Sequence, residues 1–433
     1  MRSLIAALLL ASVSMPAMAQ ARQDTLAEAI ASAISNNPTL AAQRATRGVA
    51  NETLEQAKAQ MRPQVGLNGS YGAQNLTYGR VFNTPAGSFP LDGGQERATL
   101  GLEARQSIYS GGSLTAQRDQ AQHEVDAAEA DFRSAEQDLV LSVVAAYVDV
   151  RRAEEVVQIR ETNVNSLGQQ VQAARDRFDA GEVTRTDVAQ AEARKSGAEA
   201  NLAAARSELS TARAAYERVV GRIPVQLAPP PVAPEIPPTL EQSVDLARSN
   251  NLQLVSARAQ ENAAAQGIDV AKGALRPRVG IVGSAGMQET YQDQSFRDTN
   301  VGLTAELSIP LYRGGLLNSR TRQARLEADR ARYNRMSVER DVTAQVTSAW
   351  HTVIAAREAF TASEAQVSAA EVALEGAEQE LAVGTRITLD VLDQERELLE
   401  AQLGRVDAQR AYYLAIHRLL AAVGRLRVDI IGR

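Results

Sequence analysis

Apolar positions along this chain change their period in a fixed order, and the order runs through twice. Over residues 25–61 the spacing is helical, interrupted at Asn36-Asn37-Pro38, where Asn before Pro ends one helix and Pro suits the first turn of the next. Arg62-Pro63 stops the second helix, and the period then becomes two. Val65, Leu67, Gly69, Tyr71 and Ala73 alternate with Gln64, Gly66, Asn68, Ser70 and Gly72. After a Gly/Pro/Asn-rich loop at about 74–97, Ala98, Leu100, Leu102, Ala104 and Ile108 alternate with Thr99, Gly101, Glu103, Arg105 and Ser107. These stretches predict a β-hairpin over about 64–109.

A far longer helical stretch, 113–179, follows. Its apolar or small residues fall in four-three steps at Ala121, Val125, Ala128, Phe132, Ala135 and Leu139, then from Ala146 through Val150, Ala153, Val157, Val164, Leu167, Val171 and Ala174 to Phe178. Ser142 and Arg160 occupy seam positions, and an extra four-step between Ala146 and Val150 is a stutter that relaxes the supercoil. At 1.5 Å per residue this rod is roughly 100 Å long, far more than a globular domain needs. It stops at Ala180-Gly181, and a return helix of about half its length is expected over 186–220, starting near Thr186-Asp187 and ending at Gly221.

The same elements then recur. Thr25-Leu26, Asn36-Asn37, Lys58 and Arg62-Pro63 reappear 214 residues later as Thr239-Leu240, Asn250-Asn251, Lys272 and Arg276-Pro277. Tyr109, Gly111-Gly112, Gly181, Asp187-Val188 and Gly221-Arg222 reappear 203 residues later as Tyr312, Gly314-Gly315, Gly384, Asp390-Val391 and Gly424-Arg425. One architectural unit is therefore duplicated. Its first copy spans 20–221, a Pro-rich linker covers 222–238, and the second copy spans 239–433, with a β-hairpin at about 278–310, a long helix at 316–382 and a return helix at 389–423. Eleven residues are extra in the first copy, in the 74–97 loop. By length, the helix 186–220 plus 240–275 equals one rod, and 389–423 plus 25–61 equals the other.

Residues 1–19 read as a secretory signal: Arg2, an apolar run over 4–13, and Ala17-Met18-Ala19 before Gln20. There is no Cys, hence neither a disulfide nor a lipid-modified cysteine, and no later segment is apolar enough for a membrane helix. A net charge of −6 with well-mixed signs argues against a nucleic-acid surface. Alternation alone favours a half-buried sheet in a soluble domain over a membrane barrel. Export without a membrane helix favours the barrel, with Glu103, Arg105 and Glu306 facing a wet lumen. Four strands cannot close a barrel, and open edges are not tolerated in lipid, so the chain must form a ring. An eight-strand lumen would be filled by side chains; three or four copies make a conduit.

Val383-Gly384-Thr385-Arg386 with Leu389-Asp390-Val391-Leu392-Asp393, Gly181 with Thr186-Asp187-Val188, the Leu311-Tyr312-Arg313-Gly314-Gly315 junction and the Asn36-Asn37-Pro38 break resemble the TolC-like outer membrane efflux and secretion ducts, over about 25–426. The resemblance implies a mainly α-helical homotrimer: a twelve-stranded β-barrel in outer membrane lipid continued by a twelve-helix α-barrel through the periplasm. It implies partnership with a periplasmic adaptor and an inner membrane RND or ABC-type transporter, and no enzymatic chemistry or cofactor.

Asp390 and Asp393 lie one turn apart at a helix start, where carboxylates commonly cap amides and suit the macrodipole. In a three-fold ring they would make a cation-attracting constriction, and the resemblance implies that they form the aperture at the periplasmic end. It also implies that Arg386 bonds the Thr186-Asp187 region as a clasp. Where the family carries a Tyr three residues before the matching Gly this chain has Leu381, so a tyrosine bond is not expected in the closed gate. Gln190 stands opposite Asp393 and Val183 opposite Arg386, which makes the tip the place where the two copies differ in charge. His123, His351 and His417 are scattered and suggest no metal site, and Tyr147 and Trp350, equivalent across the repeat, suit rod packing. The alternative reading is a periplasmic coiled-coil scaffold or adaptor without a pore.

Overall fold

The structure, a computed structural model, describes residues 24–76, 81–90, 93–291 and 295–426; the signal segment 1–19 lies outside them. The chain runs α1 (Leu26–Asn36), α2 (Pro38–Ala59), β1 (Gln64–Leu76), β2 (Val81–Thr84), β3 (Gly87–Pro90), β4 (Gly93–Tyr109), α3 (Ser113–Asp179), α4 (Arg185–Val220), α5 (Leu240–Asn250), α6 (Leu252–Gly273), β5 (Arg278–Tyr291), β6 (Ser295–Ser308), α7 (Leu316–Ala382) and α8 (Thr388–Ala422). Asn37 and Asn251 each cap the helix that follows their break, the first accepting from the Thr39 and Leu40 amides and the second from Leu254.

Four strands form one antiparallel sheet in the order β1-β4-β5-β6. They reach beyond the alternating cores read from the sequence. Much of the 74–97 segment is not loop: β1 continues to Leu76, β4 begins at Gly93, and β2 and β3 pair as a small extra hairpin. Backbone pairing continues there in Gly- and Asn-rich sequence that carries no apolar alternation.

The helices form a wall. α3 packs against α2 and α4 on one flank and α6 and α8 on the other, and α7 lies beyond α6 and α8. Arg152 of α3 ties both flanks, bonding Glu208 on α4 at 2.6 Å and Asp407 on α8. This two-sided packing explains why Ala127, Ala130, Val140, Val144 and Val148 are buried off the expected seam: the central rod needs two apolar stripes where a coiled-coil partner needs one.

The half-length helices stack differently from the expectation based on length. α4 ends against the α1–α2 break of its own copy, where Ser32 Oγ donates to the Val220 carbonyl at 3.2 Å. α8 ends against the α5–α6 break, where Asn251 Nδ2 donates to the Ala422 carbonyl at 2.9 Å. Gly424, at φ +72°, abuts the Asn250 carbonyl so closely that any side chain would collide with it. Each repeat therefore supplies its own composite column, because a helix C-terminus with free carbonyls meets a side-chain donor, Ser32 in the first repeat and Asn251 in the second. Lengths do not distinguish the two pairings; these end contacts do.

The main core is a belt at this level, formed by α1, the middles of α3 and α7, and the ends of α4 and α8. Tyr147 is fully buried in it, its hydroxyl within 2.9 Å of the Asp24 carbonyl and 2.7 Å of that of Ala228. Trp350, its counterpart, packs against the same belt.

Candidate gate and channel lining

At the end of the wall farthest from the strands, two equivalent turns reverse the rods. Gly181 and Gly384 both adopt φ +81°, which favours glycine. The following amides close the helix ends: Glu182 donates to Arg177 at 2.8 Å and Thr385 to Glu380 at 2.9 Å.

The two turns then diverge. In the first, the cap is Thr184 rather than the Thr186-Asp187 pair at which the helix was expected to start. The Thr184 amide and hydroxyl both donate to Asp187 Oδ2 at 2.8 Å, and Asp187 returns its amide to Thr184 Oγ1 at 3.4 Å. This capping box holds the Asp187 carboxyl below its ordinary range, first through the Thr184 amide and then through the hydroxyl. In the second turn the cap position is Ile387, which offers no oxygen. The Asp390 carboxylate has no hydrogen-bond or ion-pair partner among the described residues. Of the two equivalent acids Asp187 and Asp390, only Asp390 is left without a partner.

Arg386 does not reach Thr186 or Asp187 within the chain; it folds back along the turn and pairs with Glu380 on the last turn of α7. Asp393 is held by Arg194, a residue the sequence reading did not single out. The two guanidinium Nη atoms donate to Asp393 Oδ1 at 2.8 Å and to the Leu392 carbonyl at 3.1 Å. The only available sequence signal was a charge reversal, since Glu397 is the counterpart of Arg194 in the other repeat. Two residues on, Glu395 is 6% exposed, accepting from Ser166 Oγ at 2.6 Å with its Oε2 unpartnered. Burial pushes this carboxyl above its ordinary range; hydrogen bonds from Ser166 and Gln170 and the charge of Arg194 oppose the shift, and Glu378 adds to it.

At the other end, sheet register separates two faces. Glu103 aligns with Gly66 and Ser284, Arg105 with Gln64 and Val282, and Glu306 with Gly280, so all three lie on the face that also carries Asn68, Ser70, Gln288 and Asn300. Glu103 and Arg105 pair at 3.0 Å. The opposite face carries Val65, Leu67, Leu100, Leu102, Ile281, Val301, Leu303 and Leu307, all exposed in the single chain. Tyr109 marks the rod end of this apolar face, and Tyr71 and Tyr291 mark the far end, in the manner of interfacial aromatic belts. The strand between Val279, the partner of Tyr109, and Tyr291 measures about 40 Å, which at a membrane-barrel tilt gives a band roughly 30 Å tall. Among the described residues no helix is long and apolar enough to cross a membrane.

Residues 29–222 and 243–425 each match the family model described as outer membrane efflux protein, one match per repeat. The chain is 34% identical to the outer membrane efflux protein BepC of Brucella suis over 432 residues, covering all of this chain and 92% of BepC. It is 27% identical to the outer membrane protein TolC of Vibrio cholerae, covering 93% and 91% of the two chains. The crystal structure of the Vibrio cholerae outer membrane protein VceC superposes with a TM-score of 0.78 at 23% identity, covering 92% of this chain and 96% of that one, which shows the shared fold. The poreless scaffold reading does not fit these relatives. With its duplicated hairpin-and-rod architecture and its two-faced sheet, the chain belongs to the outer membrane efflux protein family, the TolC-like channels that continue into the periplasm as a helical tunnel.

Proposed function

We propose that three copies close into one passive conduit, in which the strands make a twelve-stranded barrel and the helix columns a twelve-helix tunnel. The observation that carries this reading is the pair of unfinished edges. β1 and β6 each have one unpaired side, and lipid offers no partner for free amides and carbonyls. The wall is open in the same sense, with the α2–α4 column on one flank and α7 on the other. Val49 on α2 and Leu326, Tyr333 and Val372 on α7 are exposed apolar residues that a neighbouring copy would cover. A head-to-tail contact of β6 and α7 on β1 and the α2–α4 column of the next copy closes a ring.

In that ring Glu103, Arg105 and Glu306 line the lumen. Asp390 and Asp393 form the periplasmic aperture, flanked by Arg386, Thr186 and Asp187. The tunnel end would meet a periplasmic adaptor and an RND or ABC-type inner membrane transporter, with drugs or secreted polypeptide as cargo. Detergent-extracted protein is expected to run as a heat-modifiable trimer and to conduct in planar bilayers. A monomer that is soluble without detergent would rule the reading out. Comparing drug susceptibility with the secreted-protein profile after gene deletion separates the two cargo classes.

A further inference from the structure

We infer that Arg194 is the residue that holds the tunnel tip closed, by clasping the start of α8 to α4 and, in the same contact, withdrawing Asp393 from the aperture. The inference rests on the duct reading above.

The geometry is that of a fork set across a seam. In this half of the wall α4 and α8 each pack against α3. Arg194 spans from one to the other, with one nitrogen on the Asp393 carboxylate at 2.8 Å and another on the Leu392 carbonyl at 3.1 Å. A guanidinium holds both acceptors in one plane, which a Lys ammonium on the same stem does not do. The contact fixes the α8 backbone as well as its side chain, so it sets where the free Asp390, one turn earlier, is held.

The surroundings make this cation hard to replace. Arg194 pairs with Asp393 and also acts on Glu395, whose acidic neighbour is Glu378 of α7, while α3 contributes only the neutral Ser166 and Gln170. Removing the Arg194 charge leaves Asp393 without its partner and takes from Glu395 the one positive charge that opposes Glu378. Nor is the contact duplicated. The counterparts of Arg194 and Asp393 in the other repeat are Glu397 and Gln190, which cannot form it. Arg386, on the turn before α8, is already paired with Glu380. With Asp393 paired to Arg194, Asp390 is the one of the two aperture carboxylates left without a partner.

Single-channel recording of the full-length trimer in planar bilayers tests this with Arg194→Gln, Arg194→Lys, Asp393→Asn and the exchange Arg194→Asp with Asp393→Arg. Arg194→Gln and Asp393→Asn are expected to raise the open-to-closed ratio on the order of tenfold, as three clasps are lost together. Arg194→Lys should fall between them and wild type, and the exchange should return the channel to its low-conducting state. Cation selectivity separates a clasp from mere packing: Arg194→Gln releases Asp393 and increases it, whereas Asp393→Asn does not. Arg194→Gln trimers with wild-type conductance and selectivity overturn the inference, as does an exchange variant that stays open. If Arg194→Gln does not assemble, Arg194→Lys and the exchange decide by the same criteria. Wild-type protein that forms no conducting trimer refutes the duct reading itself, whereas conducting wild-type channels indifferent to Arg194 refute the clasp alone.

Discussion

Asp187 and Asp390 hold equivalent places in the two repeats, yet only Asp187 is engaged by its own turn. Thr184 donates to it twice at 2.8 Å, whereas Ile387 stands at the matching cap and leaves Asp390 unengaged. Ile387→Thr should therefore build the missing capping box. It is expected to stabilise the second tip by roughly 1 kcal/mol per chain, the scale of a Thr cap, and to draw Asp390 away from the aperture. Reversal potentials in a salt gradient check this: cation preference should fall, and an unchanged preference would mean that Asp390 does not set it.

Leu303 and Thr304 are neighbours on opposite faces of β6, aligned with Gly283 and Val282. Leu303→Arg puts a charge on the apolar face and should cost about 2–4 kcal/mol per strand if that face meets the bilayer midplane. Thr304→Arg should be tolerated. The yield of heat-modifiable trimer in outer membrane fractions measures both, and equal yields would remove the assignment of the two faces.

Glu395 predicts a pH dependence whose sign is set by its raised pKa. A carboxyl whose pKa the fold raises contributes its full stability below the unfolded value of about 4.3, and that contribution is lost as pH rises through the raised folded value. Above it the fold carries a buried carboxylate. Glu395→Gln keeps the shape without the charge, so its trimers should dissociate at a higher temperature than wild type at pH 8 and at the same temperature near pH 4. A difference that is independent of pH would point to packing instead.

Tyr147 holds the segment before α1 to the linker through the Asp24 and Ala228 carbonyls. Tyr147→Phe leaves the Ala228 carbonyl short of a donor inside the core belt, while the Asp24 carbonyl keeps the Ala228 amide, and should cost about 1–2 kcal/mol per chain. Thermal dissociation of the trimer reads this loss, and a wild-type midpoint would show that the hydroxyl contributes nothing there.

Much of this protein is written locally. The switch from helical to two-residue period, the Asn-Pro break, the Gly stops at 181 and 384 and the duplication all depend on neighbours within a few residues or on self-similarity, so the helices, the strand hairpins and the two faces of the sheet could be read without coordinates. Backbone pairing beyond the apolar alternation could not, which is why the β2–β3 hairpin was read as loop. Tertiary structure alone decided which helix ends meet: Gly424 against Asn250, and Asn251 on Ala422, are contacts between residues more than 170 positions apart, invisible to length matching. It also gave α3 two apolar stripes, because a rod with neighbours on both flanks must bury both. At the tip the sequence placed Asp390, Asp393 and Arg386 together. Their partners, however, depend on which way each side chain turns once the rods are side by side: Glu380 takes Arg386, Arg194 takes Asp393, and Asp390 is left free because Ile387 cannot cap it.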